Sequence, residues 1–91
     1  MLKVEYTTQF KRDLKLAKKR NKNLSRLQQL IKDIIQQKLL PISCRDHALQ
    51  GKWNHHRELH IEPDWLLIYK IIKDENIAIF VRTGSHSDLF E

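Results

Sequence analysis

The sequence predicts a single α+β domain in which an N-terminal strand and a two-helix hairpin pack on an antiparallel sheet. Three patterns carry this reading: period-2 alternation at the N-terminus, apolar residues spaced by three and four between positions 10 and 35, and successive strand-like runs between positions 57 and 82. Residues 1–91 are read as one domain, because a chain of this length buries only roughly 60–70% of its unfolded surface and cannot support two cores. With 41% hydrophobic and 31% charged residues, two Gly and two Pro, the composition is that of a folded globular protein.

Leu2, Val4 and Tyr6 alternate with Lys3 and Glu5, the signature of a short strand with one buried face. Thr7 or Thr8 can cap a helix whose Phe10, Leu14 and Ala17 share one side, leaving Lys11, Lys15, Lys18, Lys19 and Lys22 toward solvent. Asn21 to Asn23 interrupt the pattern. Asn23 can cap a second helix carrying Leu24, Leu27, Ile31, Ile34 and Ile35, which Pro41 is expected to stop shortly after Leu40.

Between Pro41 and Trp53 no periodicity survives, so an irregular connector is expected, bearing Asp46, His47, Leu49, Gln50 and Trp53, with a turn at Gly51. From Arg57 to Glu62 polar and apolar residues alternate. Glu58, His60 and Glu62 then share a face opposite Leu59 and Ile61, which predicts an exposed His60. A Pro63–Asp64 turn leads into the apolar run Trp65 to Ile72, read as a central strand covered on both faces, and after a turn at 73–76 the meander ends with Ile77 to Arg82.

Charge is divided unevenly: residues 1–52 carry a formal +9 and residues 53–91 carry −3. Clustered Lys and Arg gain counterion release on phosphates, so a polyanion is the expected partner, against the plainer reading of a solvated helical face. The single Cys44 excludes an internal disulfide and a thiolate-rich zinc site, and is read as a small buried hydrophobe. No apolar run near 20 residues and no signal-peptide pattern occur, so a soluble, cytoplasmic protein with no membrane partner is expected.

All five histidines lie between His47 and His86, in the half that also holds Asp64, Arg82 and both tryptophans. Imidazole, with a reference pKa of about 6.5, keeps acid and base forms available near neutrality. Adjacent strand ends can gather His60, Asp64, Arg82 and His86. Such a set suits RNA cleavage by its own 2′-hydroxyl, in which a base takes the hydroxyl proton, a cation stabilises the phosphorane-like transition state and an acid protonates the departing 5′-oxygen; each positioned acid or base contributes about 10² to 10⁴ in rate. The plainer alternative is an Arg82–Asp64 ion pair tying strand ends, with His47 and His60 ordinary surface histidines; His55 and His56 are read as ordinary surface residues in either case. A zinc or nickel site on His56, Glu58 and His60 has no nameable fourth ligand, and no metal or cofactor is expected.

Three motifs add to this: Asp46-His47-x-Leu49-Gln50-Gly51-x-Trp53, then His60-x-x-Pro63-Asp64-Trp65-x-x-x-Tyr69, then Arg82-Thr83-Gly84-Ser85-His86-Ser87-x-Leu89-Phe90. In this order and spacing, over nearly the whole chain, the sequence resembles the YafQ branch of the RelE/ParE toxin superfamily. The resemblance implies a RelE-like fold and a bacterial toxin of a type II toxin–antitoxin pair, a ribosome-dependent mRNA interferase that enters the ribosomal A site and cuts translated mRNA. It implies inactivation by a DinJ-like antitoxin, and contact with operator DNA only through the antitoxin complex. Active-site status passes to His47, His60, Asp64, Trp65, Arg82, His86 and Phe90.

Within that set His86 is read as the general acid, His47, His60 and Asp64 as supplying or orienting the base, and Arg82 as the phosphate clamp. Trp65 and Phe90 are read as substrate contacts, with a core aromatic and a tail pin as their duller alternatives. The RelE branch relies instead on Lys, Arg and Tyr, so the histidines favour the YafQ arrangement. Lys11, Lys15, Lys18, Lys19 and Lys22 are expected to meet rRNA, or alternatively an acidic antitoxin segment. Asp88 and Glu91 match no required feature of the family. A ParE-like gyrase inhibitor and a noncatalytic RNA-binding module are the other two readings.

Overall fold

A computed structural model describes residues 1–90, and Glu91 lies outside the described residues. The elements run β1 (Lys3–Tyr6), α1 (Thr8–Lys19), α2 (Leu24–Ile35), β2 (His47–Ala48), β3 (Arg57–Glu62), β4 (Trp65–Ile72), β5 (Ile77–Gly84) and α3 (His86–Phe90). Short 3-10 turns at Ile42–Cys44, Gly51–Trp53 and Lys73–Glu75 connect them. The strands form one sheet in the order β1-β5-β4-β3-β2; β3, β4 and β5 are the antiparallel meander, and β1 returns parallel to β5 at the edge.

Local chemistry accounts for the helices. The Thr7 hydroxyl accepts from the Phe10 amide at 2.9 Å and donates to the Val81 carbonyl at 2.7 Å, so one side chain caps α1 and ties it to β5. Asn23 caps α2 by accepting from the Arg26 amide at 3.2 Å. Both helices end in Schellman geometry, with Asn21 (φ 56°) and Gln37 (φ 57°) left-handed and the amides of Lys22 and Lys38 returning to Ala17 and Asp33 carbonyls. This corrects the expected end of the second helix: the chain turns at Gln37, before Pro41 has any influence.

Two apolar layers result. On one sheet face Leu59, Ile61, Trp65, Leu67, Tyr69, Ala78 and Phe80 meet Phe10, Ala17, Leu27, Leu30, Ile31 and Ile34 of the helices. On the other, Leu66 and Ile68 meet Leu89 of α3, with Leu49, Trp53 and Val81 at the margin. Strand β4 is therefore central and covered on both sides, as its unbroken apolar run predicts. The tail forms α3 and two connector residues form β2; neither element is evident in the sequence pattern, because each is too short to show a period. Cys44 is fully buried, with its Sγ 3.8 Å from an Arg26 nitrogen.

Candidate active site

The second sheet face carries a row of three imidazoles. In register, His60 of β3 pairs with Leu66 and Glu58 pairs with Ile68 and with His47 of β2, so Glu58 and His60 lie on the face opposite the helices. The rings of His47 and His60 are 6.4 Å apart and those of His60 and His86 5.9 Å apart. His60 is thus flanked on both sides and only 9% exposed, contrary to the exposed position its alternation predicts. Alternation assigns a face, but only β2 and α3, unseen in the pattern, show that this face is covered.

Each end of the row is held by a specific partner. His47 Nδ1 lies 2.6 Å from the Arg45 carbonyl, which can only accept, so Nδ1 carries the proton and Nε2 faces Glu58 Oε1 at 3.7 Å. The same carboxylate oxygen lies 4.0 Å from His60 Nε2, and Glu58 is itself buried. His86 donates its backbone amide to Asp64 Oδ1 at 2.9 Å and directs Nδ1 to the same oxygen at 2.5 Å. These hydrogen bonds from His86, backbone first, hold the Asp64 carboxyl below its ordinary range. They also leave His86 Nε2 as the nitrogen turned away from Asp64 to exchange a proton.

The connector is fastened beneath His47. Asp46 accepts from the Tyr69 hydroxyl at 2.6 Å and from Arg57 Nη2 at 3.1 Å. Burial, reinforced by Asp46, raises the Tyr69 pKa, so the phenol stays a donor. Arg45, left-handed at φ 48°, presents its carbonyl to the His47 ring. The motif pair Asp46-His47 therefore divides its work: Asp46 anchors the segment and His47 faces the row.

Arg82 is held differently than expected, by α1 rather than by a contact with His60, Asp64 or His86. It pairs in register with Ile68 at a bulge in β5, past the end of β1, and its Nε and Nη2 donate to Asp13 of α1 at 2.9 and 3.1 Å. Asp13 also accepts from the Thr83 amide at 3.1 Å and is buried. The ion pair foreseen between Arg82 and Asp64 is thus made with Asp13, and Nη1 is the guanidinium nitrogen not used in it. Sequence reasoning missed Asp13, although an acid at the second position of the otherwise apolar series Phe10, Asp13, Ala17 was the available signal.

The aromatic expectations are partly corrected. Trp65 is 1% exposed, belongs to the core beneath the helices and has Lys22 Nζ 5.9 Å from its ring centroid, so it is not a stacking surface for a base. Phe90 remains substantially exposed, set edge-on against Trp53 at 6.3 Å. His56 precedes β3 and packs against Trp53 at 5.4 Å, so it does not join Glu58 and His60. Lys11, Lys15, Lys18 and Lys19 are exposed on α1, in the helical layer, whereas Lys22 is partly covered and lines the same cleft as Asp64, with its Nζ 3.8 Å from Glu62 Oε1. No helix of the described residues is long and apolar enough to cross a membrane.

Comparison with known proteins agrees with this architecture. A family model described as "Bacterial toxin of type II toxin-antitoxin system, YafQ" matches residues 2–91. The chain is 44% identical over 88 residues to the mRNA interferase toxin YafQ of Escherichia coli K12, covering 96% of this chain and 94% of that protein. The crystal structure of YafQ from E. coli BL21(DE3) superposes with a TM-score of 0.92 at 41% identity, and that of the E. coli DinJ-YafQ complex with 0.90 at 41%, each covering 100% of both chains.

Proposed function

Because the chain belongs to the YafQ family of bacterial type II toxin–antitoxin toxins, we propose that it is an mRNA interferase, an endoribonuclease that cuts mRNA under translation and so inhibits protein synthesis. The observation that carries this reading is the His47–His60–His86 row, with His86 Nδ1 bound to Asp64. His86, with its ring oriented by Asp64, delivers a proton from Nε2 to the departing 5′-oxygen. The base that takes the 2′-hydroxyl proton comes from the His60–His47 pair, whose Nε2 atoms both face Glu58, a carboxylate placed to stabilise the imidazolium once formed. Arg82, held by Asp13, offers Nη1 to the charge on phosphorus. DNA lacks the attacking hydroxyl and is not a substrate.

The ribosomal A site positions the mRNA, and the lysines of α1 meet rRNA phosphates. A DinJ-type antitoxin neutralises the toxin, by analogy with the E. coli complex, and action on translated mRNA places it in the cytoplasm. The test is a translation extract programmed with a defined mRNA: the wild type is expected to cut it and His86→Ala to leave it intact. Cleavage at the wild-type rate by His86→Ala would remove the acid assignment, and intact mRNA beside inhibited DNA supercoiling would replace the whole reading with gyrase poisoning.

A further inference from the structure

The segment carrying His86 is only five residues long, and it is fixed through one side chain to the opposite layer of the fold. Asp88 accepts from the Ser85 amide at 2.9 Å while the Asp88 amide donates to Ser85 Oγ at 3.1 Å, a reciprocal cap that starts α3. The same carboxylate receives Arg20 Nη1 at 2.7 Å and, more weakly, Nη2 at 3.5 Å. Arg20 is the C-cap of α1, and its backbone amide bonds to the Leu16 carbonyl, so the guanidinium projects from a fixed point.

Gly84 supplies an independent sign that Asp88 is docked. A Cβ at Gly84 would lie 2.9 Å from both Asp88 Cβ and Oδ2, so the aspartate sits where only glycine lets it approach β5. Arg20, Asp64, Gly84 and Asp88 line one cleft of about 330 Å³ between α1 and the end of the sheet.

We propose that Arg20 is a positioning residue for mRNA cleavage: through Asp88 it clamps the start of α3, and thereby sets His86 against Asp64 and His60. The proposal rests on the mRNA interferase reading, and it gives a function to Asp88, the acid that fits no family requirement. Bonding to Arg20 and to the Ser85 amide holds the Asp88 carboxyl at about 2, so the clamp stays charged at neutral pH.

A cation at this position has a competing role, direct contact with RNA, and the two separate in a double-mutant cycle. Arg20→Ala, Asp88→Asn and the double variant are compared in ribosome-programmed cleavage. A clamp predicts that each single change lowers kcat about tenfold with KM nearly unchanged, and that the double variant is no worse than either single. An RNA contact predicts instead a raised KM for Arg20→Ala and a lowered KM for Asp88→Asn, with additive effects, and that result overturns the proposal. Ring ¹⁵N resonances of His86 provide a readout independent of cleavage: they are expected to shift in Arg20→Ala as the Asp64 contact loosens, and unchanged resonances would overturn the clamp. A wild type that cuts no mRNA, with resonances that still respond to Arg20→Ala, would defeat the interferase reading and leave the clamp standing.

Discussion

The backbone and the ring of His86 both engage Asp64 while Nε2 stays available, the geometry that the proposed acid role requires. Replacing it by Ala is expected to lower single-turnover cleavage about 10²- to 10⁴-fold while leaving ribosome binding near wild type, as measured by rapid quench and filter binding. Asp64→Asn keeps the size of the side chain but removes the charge that favours the imidazolium, and is expected to reduce kcat with the fold intact. The residue-level site was legible to the extent that chemistry is local. The three motif histidines and Asp64 come together, whereas Arg82, expected beside them, is bound to Asp13. What escaped was long-range pairing: Asp13 binding Arg82 and Arg20 binding Asp88 join residues more than sixty positions apart, and neither pair leaves a trace in spacing. The burial of His60 escaped for a related reason, since alternation says which face a residue takes but not what covers that face, whereas the buried Trp65 follows the covered-strand reading rather than the substrate-contact one.

Among the elements, the ends decide more than the middles. Gln37 holds a left-handed conformation that glycine adopts without penalty, so Gln37→Gly is expected to stabilise the protein by about 0.5–1 kcal/mol in urea titration. Thr7→Ala removes the cap of α1 and its tie to Val81 together, and is expected to cost about 1–2 kcal/mol with cleavage little changed at temperatures where the protein stays folded. At α3 the sign of the pH dependence follows from Asp88, whose folded value of about 2 lies below the ordinary carboxylate value. Its contribution is complete above about pH 4 and is lost as pH falls through 2, so the gap in Tm between wild type and Asp88→Asn should be constant from about pH 7 to 4, narrow below about pH 4 and close only below about pH 2. Long periodic elements, namely both main helices and the three strands of the meander, were readable because many residues repeat one message. The two-residue β2 and five-residue α3 were not, and these are the elements that complete the imidazole row.

Across the molecule, the sheet separates the basic helical layer from the imidazole row. The basic excess of residues 1–52 is displayed mainly by the helical layer, while the imidazoles occupy the opposite sheet face, so in the proposed reading the exposed lysines of α1 and the cleavage chemistry use different surfaces of the domain. Replacing Lys11, Lys15 and Lys18 together by Gln should weaken ribosome binding and flatten its dependence on salt, while single-turnover cleavage at saturating ribosome stays near wild type. Loss of antitoxin affinity with unchanged ribosome affinity would reassign that face to the antitoxin. If imidazoles, Asp64 and Arg82 let the RNA's own hydroxyl break the chain, the chemical identity of the new ends must record it. Ribosome-programmed cleavage followed by mass analysis of the fragments is predicted to give a 2′,3′-cyclic phosphate or its 3′-phosphate product opposite a 5′-hydroxyl; a 5′-phosphate opposite a free 3′-hydroxyl would mean that water, and not the substrate, makes the attack.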